Sequence, residues 1–146
     1  MAEKVPQTYA NHARWDPPFH FFAVPASAVN LILVIWNLVL HYDTLAAWIL
    51  LLLILTGIVV AFKARLYPLK AQDRVIRLEQ RLRLSALLSE PLRSRAGELT
   101  EAQLIALRFV PDQEAPALVQ KALDGKLSSK DIKKAIMNWQ PDYFRV

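Results

Sequence analysis

Residues 19–62 read FHFFAVPASAVNLILVIWNLVL, HYDT, LAAWILLLLILTGIVVAF: two apolar runs with four residues between them. Phe19–Leu40 is 22 residues without a formal charge when histidine is neutral, and Leu45–Phe62 is 18 residues without any ionisable group. Crossing the hydrocarbon of a bilayer takes about 20 such residues, within a range of about 17–25. Both runs qualify. The link His41-Tyr42-Asp43-Thr44 is too short for anything but an antiparallel helical hairpin. Two core helices of a soluble bundle would need a polar face, and residues 45–62 have none. A cleaved signal peptide fits no better, since the first run is too long, the residues before it sum to zero charge and a second run follows.

Outward from the hairpin, composition agrees. Of 146 residues 54% are apolar, high for a soluble chain of this length. There are no cysteines, which excludes disulfides, thiolate metal sites and a cysteine nucleophile. The net charge of +5 sits in one block: residues 63–95 hold nine Lys/Arg against Asp73, Glu79 and Glu90. Lys63, Arg65 and Lys70 follow the second run directly, and the connecting loop has neither Lys nor Arg. By the positive-inside rule the loop faces the periplasm or exterior and both termini are cytoplasmic. Trp36, Tyr42 and Trp48 then form one aromatic belt, and Trp15, Phe19, Phe21, Phe22 and Tyr67 the other.

The stretch NHARWDPPFHFF, residues 11–22, leads into the first span. Asp is a good N-cap and Pro suits the first helical turn, so the helix should begin at Pro17 behind Asp16. His12, Asp16 and His20 are spaced four apart, which on one helix would suggest a metal face. The two prolines prevent residues 12–16 from sharing the helix of His20. The stretch is therefore expected at the membrane surface, with Arg14 towards lipid headgroups and the aromatics as anchors.

The first span has a seam. His20, Ala23, Ser27, Asn30, Val34, Asn37 and His41 recur at spacings of three and four, and the second span offers Gly57, Ala61 and Ala64. Small and polar residues let membrane helices approach and hydrogen-bond. Ser27, Asn30, Asn37, Gly57 and Ala61 are thus the expected helix–helix interface. In a tight hairpin Asn30 faces roughly Leu51, where Leu50–Leu55 offers no polar side chain. An unpaired amide near the bilayer centre costs on the order of 1–3 kcal/mol. Asn30 is expected to meet another chain, a second copy or a different membrane subunit.

Pro68 and Pro91 bracket a basic amphipathic helix, residues 68–90. Ala71, Val75, Leu78, Leu82 and Ala86 form its apolar stripe, with Lys70, Arg74, Arg77 and Arg81 alongside. Together with Lys63 and Arg65 these suit anionic lipid, each basic residue contributing about 1 kcal/mol near the surface. A short coiled coil or packing on residues 99–139 would serve the same stripe. The block is short and lacks interleaved aromatics, so no nucleic acid is expected. Residues 97–146 read as a small cytoplasmic helical unit of three helices. Thr100 with Gln103 resembles a capping box, Asp112 would cap a second helix ending at Asp124-Gly125, and Ser128 with Asp131 would open a third through Ile132, Ile136 and Trp139. The tail NWQPDYFRV has the look of a docking strand. The fold class is all-α: arm 1–16, transmembrane hairpin 17–65, basic helix 68–90, helical unit 97–146.

NHARWDPPFHFF, LTEAQLIALRF and SSKDIKKAIMNWQPDYFRV resemble the shared segments of a bacterial family of small two-span membrane proteins of unknown function. The resemblance, an NHxRWDPxFHFF start and an IKKAIxNWQxDYFRV end, covers nearly the whole chain. It implies topology and bacterial origin, and no chemistry. Nucleotide-binding loops, nucleophile triads and the HExxH zinc pattern are absent from the sequence. The expected role is non-enzymatic, a structural or assembly subunit of a larger membrane complex without a cofactor. The alternative is a cofactor-carrying subunit with His20 or His41 as axial ligand to haem or chlorophyll. Those two lie 21 residues apart, roughly 30 Å along a helix, and cannot share one haem.

Overall fold

The computed structural model describes residues 6–12 and 15–142. It is all-helical, with 73% helix and no strand among the described residues. Helix α1 is Pro18–Leu40 and α2 is Leu45–Leu87; both are long and apolar enough to cross a membrane. Short helices follow: α3 (Leu92–Arg95), a 3-10 turn at Ala96–Glu98, α4 (Glu101–Leu107), α5 (Ala115–Asp124) and α6 (Ser129–Ala135). The chain divides into two compact units, Arg14–Pro68 and Leu69–Val146 with Met1–Ala13.

In the first unit the Asp16 carboxylate accepts the Phe19 N–H at 3.4 Å, ahead of Pro17 and Pro18. The opening turns Pro18–Ala23 are π-helical, and Val24 N–H reaches back five residues to Phe19. Pro25 supplies the cause. It has no N–H for the Phe21 carbonyl, and its ring would strike that carbonyl in a normal turn; one widened turn relieves both. The link after α1 is closed by the Thr44 N–H and hydroxyl, both donating to the His41 carbonyl at 3.0 and 2.8 Å. Trp48 Nε1 donates to the Tyr42 carbonyl at 3.0 Å. At the other end Phe19 and Phe62 meet edge to face at 5.6 Å, and Arg65 pairs with Asp16 at 3.3 Å. The two helices therefore run antiparallel.

In the second unit Leu84 near the end of α2 and Leu88 just after it join a core with Leu104, Leu107, Phe109, Val110, Leu118, Val119, Ala122 and Ile132. Burying two leucines fixes α2 to this unit with about 1.5–3 kcal/mol each. Thr100 and Gln103 make a reciprocal capping box at the start of α4. Gln103 Nε2 goes on to donate to the Leu127 carbonyl at 2.8 Å.

Three local expectations are corrected. Pro68 stands at the boundary of the two compact units but starts no new helix: it lies inside α2, costing one bond to the Ala64 carbonyl while helix-forming residues on both sides hold the conformation. Asp112 caps nothing, because Pro116 fixes the first turn of α5 and moves its N-cap to Glu114; Asp112 pairs with Arg83 instead. The helix opened by Ser128 stops at Ala135, before Ile136 and Trp139. There the Glu114 carboxylate accepts the N–H groups of Met137 and Asn138, both at 3.1 Å, and draws the chain out of the helix. The end of α5 is where it was expected, at Asp124 with Gly125 as C-cap; beyond it Lys126 is left-handed (φ 46°), and the Leu127 N–H closes a Schellman bond to the Ala122 carbonyl.

The apolar stripe of the basic segment also faces differently. The buried side of α2 carries Ile76, Gln80 and Leu84, with Leu88 just after the helix, whereas Ala71, Val75, Leu78, Leu82 and Ala86 are all exposed. Both stripes have helical spacing, so periodicity alone cannot rank them; the core took the one that carries Leu84.

Candidate functional site

The membrane-length helices present the first surface. On α1, Val34 is buried and Ala23, Ser27, Leu31 and Leu38 are half-buried; on α2, Ala47 is buried and Leu51, Ile54, Ile58 and Ala61 are half-buried. Val34 is the only buried residue of Val24–Leu40. Of the expected interface, Ser27, Asn37 and Ala61 are half-buried. Asn30 is exposed, and its amide makes no side-chain hydrogen bond among the described residues. Gly57 is exposed as well, with open space where a Cβ would stand.

The histidines sit at opposite ends of α1. His20 is half-buried, held edge to face between Trp15 (5.0 Å) and Phe19 (5.3 Å), with Nδ1 2.9 Å from the Asp16 carbonyl. His41 forms the exposed C-cap of α1. Among the described residues no group of three His, Asp or Glu side chains could hold a metal ion.

The basic residues do not act alike. Arg65 is spent on Asp16, with its side chain only 12% exposed. Arg77 pairs with Glu101 and donates to the Asp73 carbonyl. Lys63 lies 5.1 Å from the Tyr67 ring centre. Lys70, Arg74 and Arg81 are exposed without an ion pair among the described residues.

The second surface is a clasp at Phe109, built from three stretches far apart in sequence. Gln7 bonds Asp142 twice: Nε2 donates to its carbonyl at 3.1 Å, and Oε1 accepts its N–H at 2.8 Å. The Gln140 N–H donates to the Phe109 carbonyl at 2.8 Å. Arg108 pairs with Asp142 at 3.4 Å and lies 4.5 Å from the Phe109 ring. His12 packs on Tyr9, Phe109 and Trp139, with ring centres about 6 Å away. Its Nδ1 is 2.7 Å from the Tyr9 carbonyl and its Nε2 is 3.2 Å from Lys133 Nζ. With its proton on Nδ1 the ring would donate to the Tyr9 carbonyl and accept from Lys133. Beside the clasp a groove of about 500 Å3 is lined by Gln72, Ile76, Gln80, Arg108, Gln140 and Asp142. Arg108 and Asp142 neutralise one another there.

Sequence reading missed the clasp and also Arg83, whose side chain joins four partners. Arg83 donates to Asp112 (2.8 Å), Gln80 (3.2 Å), the Leu107 carbonyl (3.4 Å) and the Val110 carbonyl (2.5 Å). Arg95 bridges Asp124 and Glu98, and its hydrogen bonds to them raise its pKa. The Ser128 hydroxyl, donating at 2.6 Å, lowers that of Asp131. The expected roles of Arg14 at lipid headgroups and of tail residues 143–146 lie outside the described residues.

Three segments meet at this clasp: residues 7–12, 108–109 and 139–142. His12, Arg108 with Phe109, and residues 139–142 lie in the motifs NHARWDPPFHFF, LTEAQLIALRF and NWQPDYFRV, while Gln7 and Tyr9 precede the first of them. A family model covers the chain from end to end, residues 1–146. The chain belongs to a family of unknown function, DUF6526. No curated protein and no solved structure matches it.

Proposed function

We propose that this DUF6526 protein is a non-enzymatic integral membrane protein that serves as a structural or assembly subunit of a larger membrane complex. The observation that carries this is Asn30. It lies near the middle of Pro18–Leu40, exposed among Val29, Ile32 and Leu33. Apolar side chains turned outward along both helices favour hydrocarbon as their solvent. In that solvent an amide without a partner is costly, and a side chain of another membrane helix is the natural mate.

The same reading places the chain in a bacterial inner membrane with the His41–Thr44 link outside and both termini in the cytoplasm, because Lys63, Arg65 and Lys70 follow the second span. Anionic lipid would meet Lys70, which follows the second span and which no carboxylate of the described residues claims. The clasp at Phe109 gives the cytoplasmic unit a fixed surface for a partner.

The test is Asn30→Leu, which makes the span more apolar and so preserves insertion. It should loosen assembly by about 0.6–2 kcal/mol, the scale of a hydrogen bond between membrane helices. On a native gel the variant complex should run smaller or lose a co-purifying chain. An Asn30→Leu complex of unchanged size and composition would sink the reading.

A further inference from the structure

Between residues 71 and 86, α2 carries two apolar stripes on opposite sides. The back stripe, Ile76 and Leu84 with Leu88 just beyond the helix, is buried in the unit itself. The front stripe, Ala71, Val75, Leu78 and Leu82, is covered by nothing: the last three are 54%, 60% and 63% exposed. Its spacing of four, three and four is a heptad seam, with Val75 and Leu82 at a and Ala71 and Leu78 at d.

The flanks say what covers it. Arg74 and Arg81 occupy the g side, and Gln72 and Glu79 the e side. In a parallel pair each g residue faces the following e residue of the other helix, so Arg74 of one copy meets Glu79 of the other, twice by two-fold symmetry. In an antiparallel pair Arg74 would face Arg81 and repel it. Arg74 and Glu79 are both exposed, and neither has an ion pair among the described residues. At the centre of the seam Val75 at a with Leu78 at d also favours two strands. A helix lying on anionic lipid would profit from cations on both flanks of its apolar face, whereas here one flank is acidic.

We propose that the front of α2, centred on Val75, Leu78 and Leu82, pairs in parallel with the same face of a second copy of this chain. This deepens the assembly reading and rests on it only for the parallel orientation, which two copies inserted the same way share.

The chain has no cysteine, so single-cysteine variants report cleanly. Full-length Leu78→Cys in neutral phosphatidylcholine vesicles should form disulfide dimers under mild oxidation at least about tenfold faster than Asp73→Cys, placed off the seam. Adding Arg74→Glu or Glu79→Arg to Leu78→Cys should slow crosslinking on the order of tenfold, and both together should restore it. Leu78→Cys crosslinking no faster than Asp73→Cys would overturn the proposal, as would a double reversal that fails to restore the rate. A rate that collapses when anionic lipid is added would assign the stripe to lipid and overturn it too. Failure here while Asn30→Leu still shrinks the native complex leaves assembly standing with a different partner; crosslinking with an inert Asn30→Leu separates the two the other way.

Discussion

Arg83→Met removes the side chain that ties α2 to the loop between α4 and α5 while keeping its aliphatic bulk. The Arg83 side chain is 20% exposed and bonds the carbonyls of Leu107 and Val110, two residues of the core. The Val110 bond is short and dominates; the Leu107 bond is long. A net bond to a charged donor contributes about 1.5–3 kcal/mol, and an orphaned buried carbonyl costs about 1–3 kcal/mol. The pair with Asp112 adds less than about 1 kcal/mol, because that carboxylate is 60% exposed and returns to water. The expected loss is about 2–4 kcal/mol, a large part of the roughly 4–12 kcal/mol a unit of this size has. Hydrogen exchange of the full-length protein in neutral detergent should show amides of α4–α6 exchanging about 30- to 1,000-fold faster. Asp112→Ala is the control and should change protection by under about fivefold. Equal effects from Arg83→Met and Asp112→Ala, or protection unchanged in Arg83→Met, would refute the assignment of Arg83 as the anchor.

Lys126→Gly relieves a left-handed backbone at the end of α5 and should raise the thermal midpoint, by about 0.5–1 kcal/mol of stability; a lowered midpoint contradicts this. Gly125→Ala, whose Cβ would stand 3.0 Å from the Lys121 carbonyl, should lower the midpoint. The folded-state pKa of Asp131 is lowered, so its contribution to α6 is present above the usual carboxylate range and is lost as pH falls through the folded value. Ser128→Ala removes the hydroxyl donor and should move the Asp131 titration, followed by NMR, upward; an unmoved titration would discount the hydroxyl.

The clasp shows why the candidate surfaces were legible only in part. The residues were visible, since His12, Trp139 and Gln140 lie in motifs that stand out in composition. Their meeting was not, because Gln7 and Asp142 are 135 residues apart and no periodicity links them. Asn30 was the opposite case. Its polarity within an apolar run singled it out in sequence, and the fold then left it exposed.

The sequence by itself determined the two long apolar helices, their four-residue link and the caps at Asp16, Thr100 and Ser128. Each depends on neighbours within a turn or on uninterrupted hydropathy, which are local properties. Only the tertiary structure decided which stripe of α2 is buried, that Pro68 stays within the helix, and that Asp112 serves Arg83 rather than α5. Each of those compares two locally acceptable arrangements, and the choice falls to core packing and to hydrogen bonds closed by residues distant along the chain.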